Sequence, residues 1–191
     1  QVRSKLWLVT ELAKVVEGQL GNIVFYGGWY NFLAHILYEQ FEVSNVYSLD
    51  LDEKVVAPSK RLYPDEVVAG TFLPLTVDVN KIVWKDNKMN FNNLVQKEDA
   101  YKPADKFDHS DIVANLIVNT SCEHMDNTWY ENLPVGKVVV LQTNDYFDNE
   151  QHSNCCKDLK EAKSKYPMQS IMYEGELDTH LYNRFMLIGV K

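Results

Sequence analysis

The chain has 191 residues, enough for one domain with a full core and too few for two ordinary ones. Hydrophobic residues make up 46% and charged residues 24%, the balance of a globular protein, and the net charge of −8 argues against a duplex nucleic-acid surface. No apolar run reaches the about 18 residues of a membrane span, there is no signal-peptide pattern, and Cys122, Cys155 and Cys156 form neither a CxxC pair nor a zinc spacing; reduced thiols, no metal centre and a cytoplasmic setting are expected.

Residues 4–16 place Leu8, Leu12, Val15 and Val16 on one helical face, with Ser4 as N-cap, and Gly18 and Gly21 break the helix. The run NIVFY (22–26) reads as a strand buried on both faces. After Gly27-Gly28 comes a helix over 31–42, with Leu33, Ile36, Leu37 and Phe41 on the core face and Asn31, His35, Glu39 and Glu42 opposite. VYSLD (46–50) is a second strand, 53–63 a helix that Pro58 bends or delays, and FLPLTV (72–77) a third strand. Pro74 gives that third strand an irregular start or an edge position.

Residues 84–110 are polar, aperiodic and rich in Asn and Lys, and read as an insertion with a hairpin around Asp86-Asn87. NLIVN (115–119) and KVVVLQT (137–143) are strands four and five, and 156–166 is a helix ended by Pro167. QSIMYE (169–174) and RFMLIGV (184–190) are the last two strands. Strands alternating with helices predict a three-layer α/β sandwich around a seven-stranded, mostly parallel Rossmann-like sheet. About nine residues separate the last two strands, too few for a parallel crossover, so the final strand is expected to be antiparallel.

In open α/β sheets, ligands sit beyond the carboxyl ends of the strands. Here those ends read Tyr26-Gly27-Gly28-Trp29, Asp50-Leu51-Asp52, Asp78-Val79-Asn80 and Asn119-Thr120-Ser121-Cys122-Glu123-His124. With the EH pair after strand four, the PVG turn before strand five and the ending YNRFMLIGVK, this series resembles the class I S-adenosylmethionine-dependent methyltransferases. The resemblance runs over residues 20–190 apart from 84–110. It implies one methyltransferase-like domain, S-adenosylmethionine as cofactor, and methyl transfer to a small-molecule acceptor. The cofactor residues it implies are Gly27, Gly28 and Trp29 after strand one, Asp50 and Leu51 for the ribose, Asp78 and Val79 for the adenine, and Asn119 and Thr120 after strand four. The family's first motif carries an acidic residue two before the first glycine and a third glycine further on; here Phe25 and the Trp29-Tyr30-Asn31 segment stand in those places.

Each of these residues has a plainer reading. Gly27-Gly28 also suits a tight turn, although free N–H groups at the start of the next helix would suit a carboxylate. Asp50 or Asp52 could cap the following helix, and Asp78 could be a solvated turn residue. Glu123 and His124 fall where methyl transfer would occur: imidazole can take a proton near neutral pH, and a carboxylate can orient an amine. Alternatively the pair ties down the segment that follows. Asn144 and His152 are candidate acceptor contacts, with His152 and Asn154 on a possible lid. Cys122 reads as a small core residue. Three other functions remain open: aminocarboxypropyl transfer, cofactor binding without catalysis, and dinucleotide-dependent oxidoreduction, the last opposed by the absence of GxGxxG.

Overall fold

Seven strands form the central sheet of the computed structural model, which describes residues 2–95 and 110–191. In chain order the elements are α1 (Val2–Val15), β1 (Gln19–Tyr26), α2 (Phe32–Gln40), β2 (Glu42–Asp50), α3 (Val56–Leu62), α4 (Pro64–Ala69) and β3 (Phe72–Thr76). A hairpin of β4 (Val83–Lys85) and β5 (Lys88–Asn90) follows, then β6 (Leu116–Asn119), α5 (Thr128–Glu131), β7 (Val138–Asn144), α6 (Leu159–Lys165), β8 (Ser170–Asp178) and β9 (Asn183–Val190). The sheet order is β3-β2-β1-β6-β7-β9-β8. All pairings from β3 across to β7 are parallel, and β9 runs antiparallel between β7 and β8. This is the predicted sheet, with Pro74 on its edge strand, where its missing N–H costs no ladder bond.

Alternation along the strands divides the interior into two cores. Val24, Tyr26, Ile117, Val139 and Leu141 face Trp129, Tyr130 and Tyr166. Ile23, Phe25, Leu116, Val118 and Val140 face Leu8 and Leu12 of α1 and Leu33 and Leu37 of α2. Burying each such side chain stabilises the fold by about 1.5–3 kcal/mol before conformational entropy is counted. Phe25, at the position where the resembling family carries an acid, is one of these core residues. No helix among the described residues is long and apolar enough to cross a membrane.

Several elements depart from the sequence reading. The first helix begins by Val2, so Ser4 lies inside it, buried, instead of capping it. Gly21 falls within β1 at φ 62°, where the β1–β2 register shifts, and of the two glycines Gly18 alone lies in the link over residues 16–18 between α1 and β1. Asn31 is buried and not on a solvated face: its amide donates to Ser59 Oγ at 2.9 Å and to the Trp29 carbonyl at 3.1 Å. Pro58 sits in the first turn of α3 and breaks nothing, because that turn needs no N–H from it. Both α4 and the four-residue α5 lack a strong periodic signal and were not anticipated.

The hairpin around Asp86-Asn87 forms, with both residues left-handed (φ 49° and 65°). It is less of a polar appendage than expected. Met89 and Phe91 enter the core beneath β1, and the Lys137 ammonium pins the hairpin by donating to the carbonyls of Asn87 and Ala114 at 2.9 and 3.0 Å. The remainder of the expected insertion, residues 96–109 including His109, lies outside the described residues.

Closure of the sheet leaves no room at Gly189. A Cβ there would overlap the backbone carbonyl of Ser170 on β8. Gly189→Ala is expected to cost about 1–3 kcal/mol as an overpacking change, seen as a lower urea midpoint with an unchanged m-value.

Candidate functional site

The carboxyl ends of β1, β2, β3, β6 and β7, together with the start of β9, border a cleft of about 620 Å³. The strand order reverses between β1 and β6, so this is the crevice where the topology places a ligand. Its two halves differ in charge.

The half formed by β1–β3 is lined by Gly27–Trp29, Asp50–Asp52 and Asp78–Asn80, and the charged groups lining it among the described residues are three carboxylates, of which Asp78 pairs with Lys81 at 3.1 Å. Gly27 is left-handed at φ 71°, and a Cβ on Gly28 would overlap Ser48 Oγ and Asn31 Oδ1. The turn therefore needs both glycines for its own geometry, whatever approaches from the cleft. Trp29 is also left-handed, at φ 49°, strained for a bulky residue, and its ring is half exposed beside Tyr30. Asp50 holds this loop: Oδ2 accepts the Trp29 N–H at 2.8 Å and Oδ1 the Asp52 N–H at 3.0 Å. Each oxygen keeps a lone pair. The capping role falls to Asp52, which accepts the Lys54 N–H at 3.0 Å, and Asp78 likewise accepts the Asn80 N–H at 3.1 Å. The first turn of α2 starts at Phe32 and does not line the cleft, so the helix N–H groups expected behind Gly28 lie elsewhere.

The other half is organised by a buried ion pair. Glu123, in a 3-10 turn after β6, accepts from Arg184 Nη2 and Asn144 Nδ2 on the same oxygen, each at 2.7 Å. Asn144 ends β7 and pairs with Arg184 at the start of β9, so the antiparallel strand carries its guanidinium to this end of the sheet. The Glu123 carbonyl accepts the N–H groups of Ser153 and Asn154. Beside it His124 is exposed, with Nδ1 3.1 Å from the Gln151 carbonyl. A carbonyl can only accept, so Nδ1 carries the proton and Nε2 keeps its lone pair. His152 is pinned at both nitrogens, Nδ1 by the Tyr146 carbonyl at 2.8 Å and Nε2 by Asn149 Nδ2 at 3.2 Å. Asn154 donates to the Met125 carbonyl at 2.9 Å and to Asn127 Oδ1 at 2.8 Å, which makes it a brace for the loop that had been expected to act as a lid. Burial pushes the Cys122 thiol well up and the Cys155 thiol up to about 11, so neither is a thiolate nucleophile at neutral pH.

Glu123, His124 and His152 bring ligand atoms within 4.8 Å of one another, a grouping the sequence did not foretell. The donors do not suit a divalent cation as they stand. One Glu123 oxygen is already held by a guanidinium, and both His152 nitrogens are engaged.

Every sequence-expected site residue borders the cleft except Asn119, which is fully buried beneath its wall. Its Oδ1 accepts the Ser121 N–H at 2.9 Å and shapes the turn. Sequence reasoning missed Lys5, Arg184, Tyr146 and Tyr182, all of which line the second half. Arg184 left a trace, a charge opening an otherwise apolar strand; Lys5 looked like any polar residue on an amphipathic helix.

No family model and no curated protein matches the chain. Solved structures do. The N-methyltransferase NodS from Bradyrhizobium japonicum WM9 aligns with a TM-score of 0.64 at 8% identity, over 100% of this chain and 96% of its own. A putative sarcosine dimethylglycine methyltransferase from Galdieria sulphuraria aligns with a TM-score of 0.62 at 10% identity, over 100% and 86%. The [4+2]-cyclase SpnF aligns with a TM-score of 0.64 at 8% identity, over 100% and 82%. The chain has the fold of the class I S-adenosylmethionine-dependent methyltransferases, and at these identities the likeness concerns the fold alone.

The ion pair generates one prediction. Arg184→Met strands a buried carboxylate and should cost about 3–5 kcal/mol in urea denaturation, with most of it recovered in the Glu123→Gln/Arg184→Met double variant. Lys5 generates another. Burial, reinforced by Arg184 and opposed by Glu123, lowers its pKa from 10.5 to about 8. Below about pH 8 it is charged folded and unfolded, so the desolvation penalty is fully present; between about 8 and 10.5 the folded protein sheds the proton first and stability rises. Lys5→Met should therefore be more stable than the parent at pH 7, with the gap narrowing above pH 8 in thermal melts.

Proposed function

We propose that this chain is a cytoplasmic S-adenosylmethionine-dependent methyltransferase acting on a small-molecule acceptor. The observation that carries the reading is the Asp50 carboxylate at the tip of β2, clamped by two backbone N–H groups with a lone pair left on each oxygen beside the glycine turn at the switch point. A pair of ribose hydroxyls suits those lone pairs, and the cleft volume is that of a small-molecule site. In this reading Gly27, Gly28 and Trp29 border the methionine portion, Asp50 and Leu51 the ribose, Asp78 and Val79 the adenine, and Thr120 the wall after β6. Asn119 supports that wall from behind.

Bound there, S-adenosylmethionine would supply an electrophilic sulfonium methyl group. The chain's own contribution is alignment and proton removal. His124 is the base, because the Gln151 carbonyl orients its ring and leaves Nε2 free to take the acceptor's proton. Glu123 is engaged by Arg184 and serves by positioning Asn144 and the loop that presents His124. Asn144 and His152 border the acceptor.

A second reading, cofactor binding without methyl transfer, draws on the strained Trp29 and the buried Phe25 in the first motif. Two measurements decide. Asp50→Asn should weaken S-adenosylhomocysteine binding by about 1.5–3 kcal/mol in calorimetry, the range for a hydrogen bond to a charged group; unchanged affinity would discard the assignment of this half. His124→Ala should keep that affinity while S-adenosylhomocysteine release on the best acceptor from a metabolite screen falls about 10²-fold. Tight binding with no turnover on any pool would favour the second reading.

A further inference from the structure

The two halves of the cleft are oppositely charged, and the second half is out of balance. Its lining carries two cations, Lys5 and Arg184, against a single carboxylate, that of Glu123. Arg184 and Asn144 already share one oxygen of that carboxylate. Lys5 has no hydrogen bond or ion pair among the described residues, although burial and the neighbouring guanidinium both act against its charge. Glu123 favours the Lys5 charge, but it is one carboxylate facing two cations, and a cleft half with such an excess of positive charge is a receptor for an anion.

The position of Lys5 separates it from the proposed cofactor half. Lys5 follows Ser4, whose carbonyl accepts the Gln142 amide of β7 at 3.1 Å, and its charge is felt by Arg184 and Glu123. Arg184 stands on β9, two strands beyond β6 and three beyond β1. At about 4.8 Å between strands that is roughly 10 and 14 Å across the sheet. Beside it Tyr146 and Tyr182 line the cleft, their rings stacked on each other at 5.5 Å and 14° with the Arg184 guanidinium 5.9 Å from the Tyr182 ring.

We infer that the acceptor is a small anion: an acidic group docks on the Lys5 ammonium, with an apolar body beside the Tyr146 and Tyr182 side chains. This rests on the methyltransferase reading for the word acceptor, but the anion site is testable by itself. The shared chemistry is a carboxylate, and it has two possible sources, the acceptor or the cofactor's own amino-acid end.

The test uses benzoate and benzamide, matched in shape and differing in charge, titrated into the parent, Lys5→Met and Lys5→Arg proteins by calorimetry, with and without saturating S-adenosylhomocysteine. With S-adenosylhomocysteine bound, the parent should prefer benzoate over benzamide by tenfold or more. Lys5→Met should erase that preference, and Lys5→Arg should restore most of it. The affinity for S-adenosylhomocysteine itself should change less than twofold across the three proteins. The inference is overturned if the parent does not prefer benzoate, or if Lys5→Met keeps the preference. It is also overturned if Lys5→Met weakens S-adenosylhomocysteine tenfold, which would hand the anion site to the cofactor. Failure of the parent to bind S-adenosylhomocysteine would instead sink the methyltransferase reading, and the titrations without it would still decide Lys5.

Discussion

The Glu123–Arg184 ion pair is the constraint on which the second half of the cleft depends. Removing two charges from water costs several kcal/mol per ion, and a single shared oxygen is a modest return. Its use is positional. Glu123 follows β6, Asn144 ends β7 and Arg184 begins β9, so one carboxylate ties together the ends of three adjacent strands. Its backbone carbonyl also holds the loop after β7. His124 is the next residue in the chain, and its orientation is inherited from this knot. The remaining Glu123 oxygen and the Arg184 Nε have no hydrogen-bond partner among the described residues, so the network is specific without being saturated.

The first half is assembled differently. It depends on short Asx contacts, in which Asp50, Asp52 and Asp78 each accept a nearby backbone N–H, and on glycines that let β1 turn tightly beneath Ser48 and Asn31. Such contacts are local in sequence or join adjacent strand ends. They turn acidic groups toward the cleft, while the second half lines it with cations and aromatic rings. Under the proposed function, this division would order cofactor and acceptor end to end. That the [4+2]-cyclase SpnF shares the fold is a reminder that the sheet sets where ligands meet, and the side chains at the meeting point set the reaction.

This contrast also explains what was legible in the sequence. Apolar runs buried on both faces announced β1, β6 and β7, and the short final connection announced the antiparallel β9. The residues of the first half follow directly after strands, so locating a strand locates them. Lys5 and Arg184 could not be found that way. They reach the cleft from opposite ends of the chain, through a helix and through an antiparallel register, and no local pattern encodes that meeting. Phe91 and Met89 were hidden for a related reason: two core side chains in a polar stretch leave no period to detect. Adjacency to a strand end does not say which way a side chain points, and the buried Asn119 side chain turns into the wall to accept the Ser121 N–H.

The place of β9 in the sheet has a consequence for how the chain acquires its structure during synthesis. β9 follows β8 in sequence but is inserted between β7 and β8. A ribosome delivering the chain from its amino end would release β7 and β8 before the strand that joins them, leaving two open edges side by side. Until β9 enters, Glu123 lacks its guanidinium and the knot at the strand ends cannot tie. The nascent protein would thus hold its first half early and its second half only once β9 has emerged, a vectorial order in which unpaired edges wait for one later segment and invite chaperone attention in the interval.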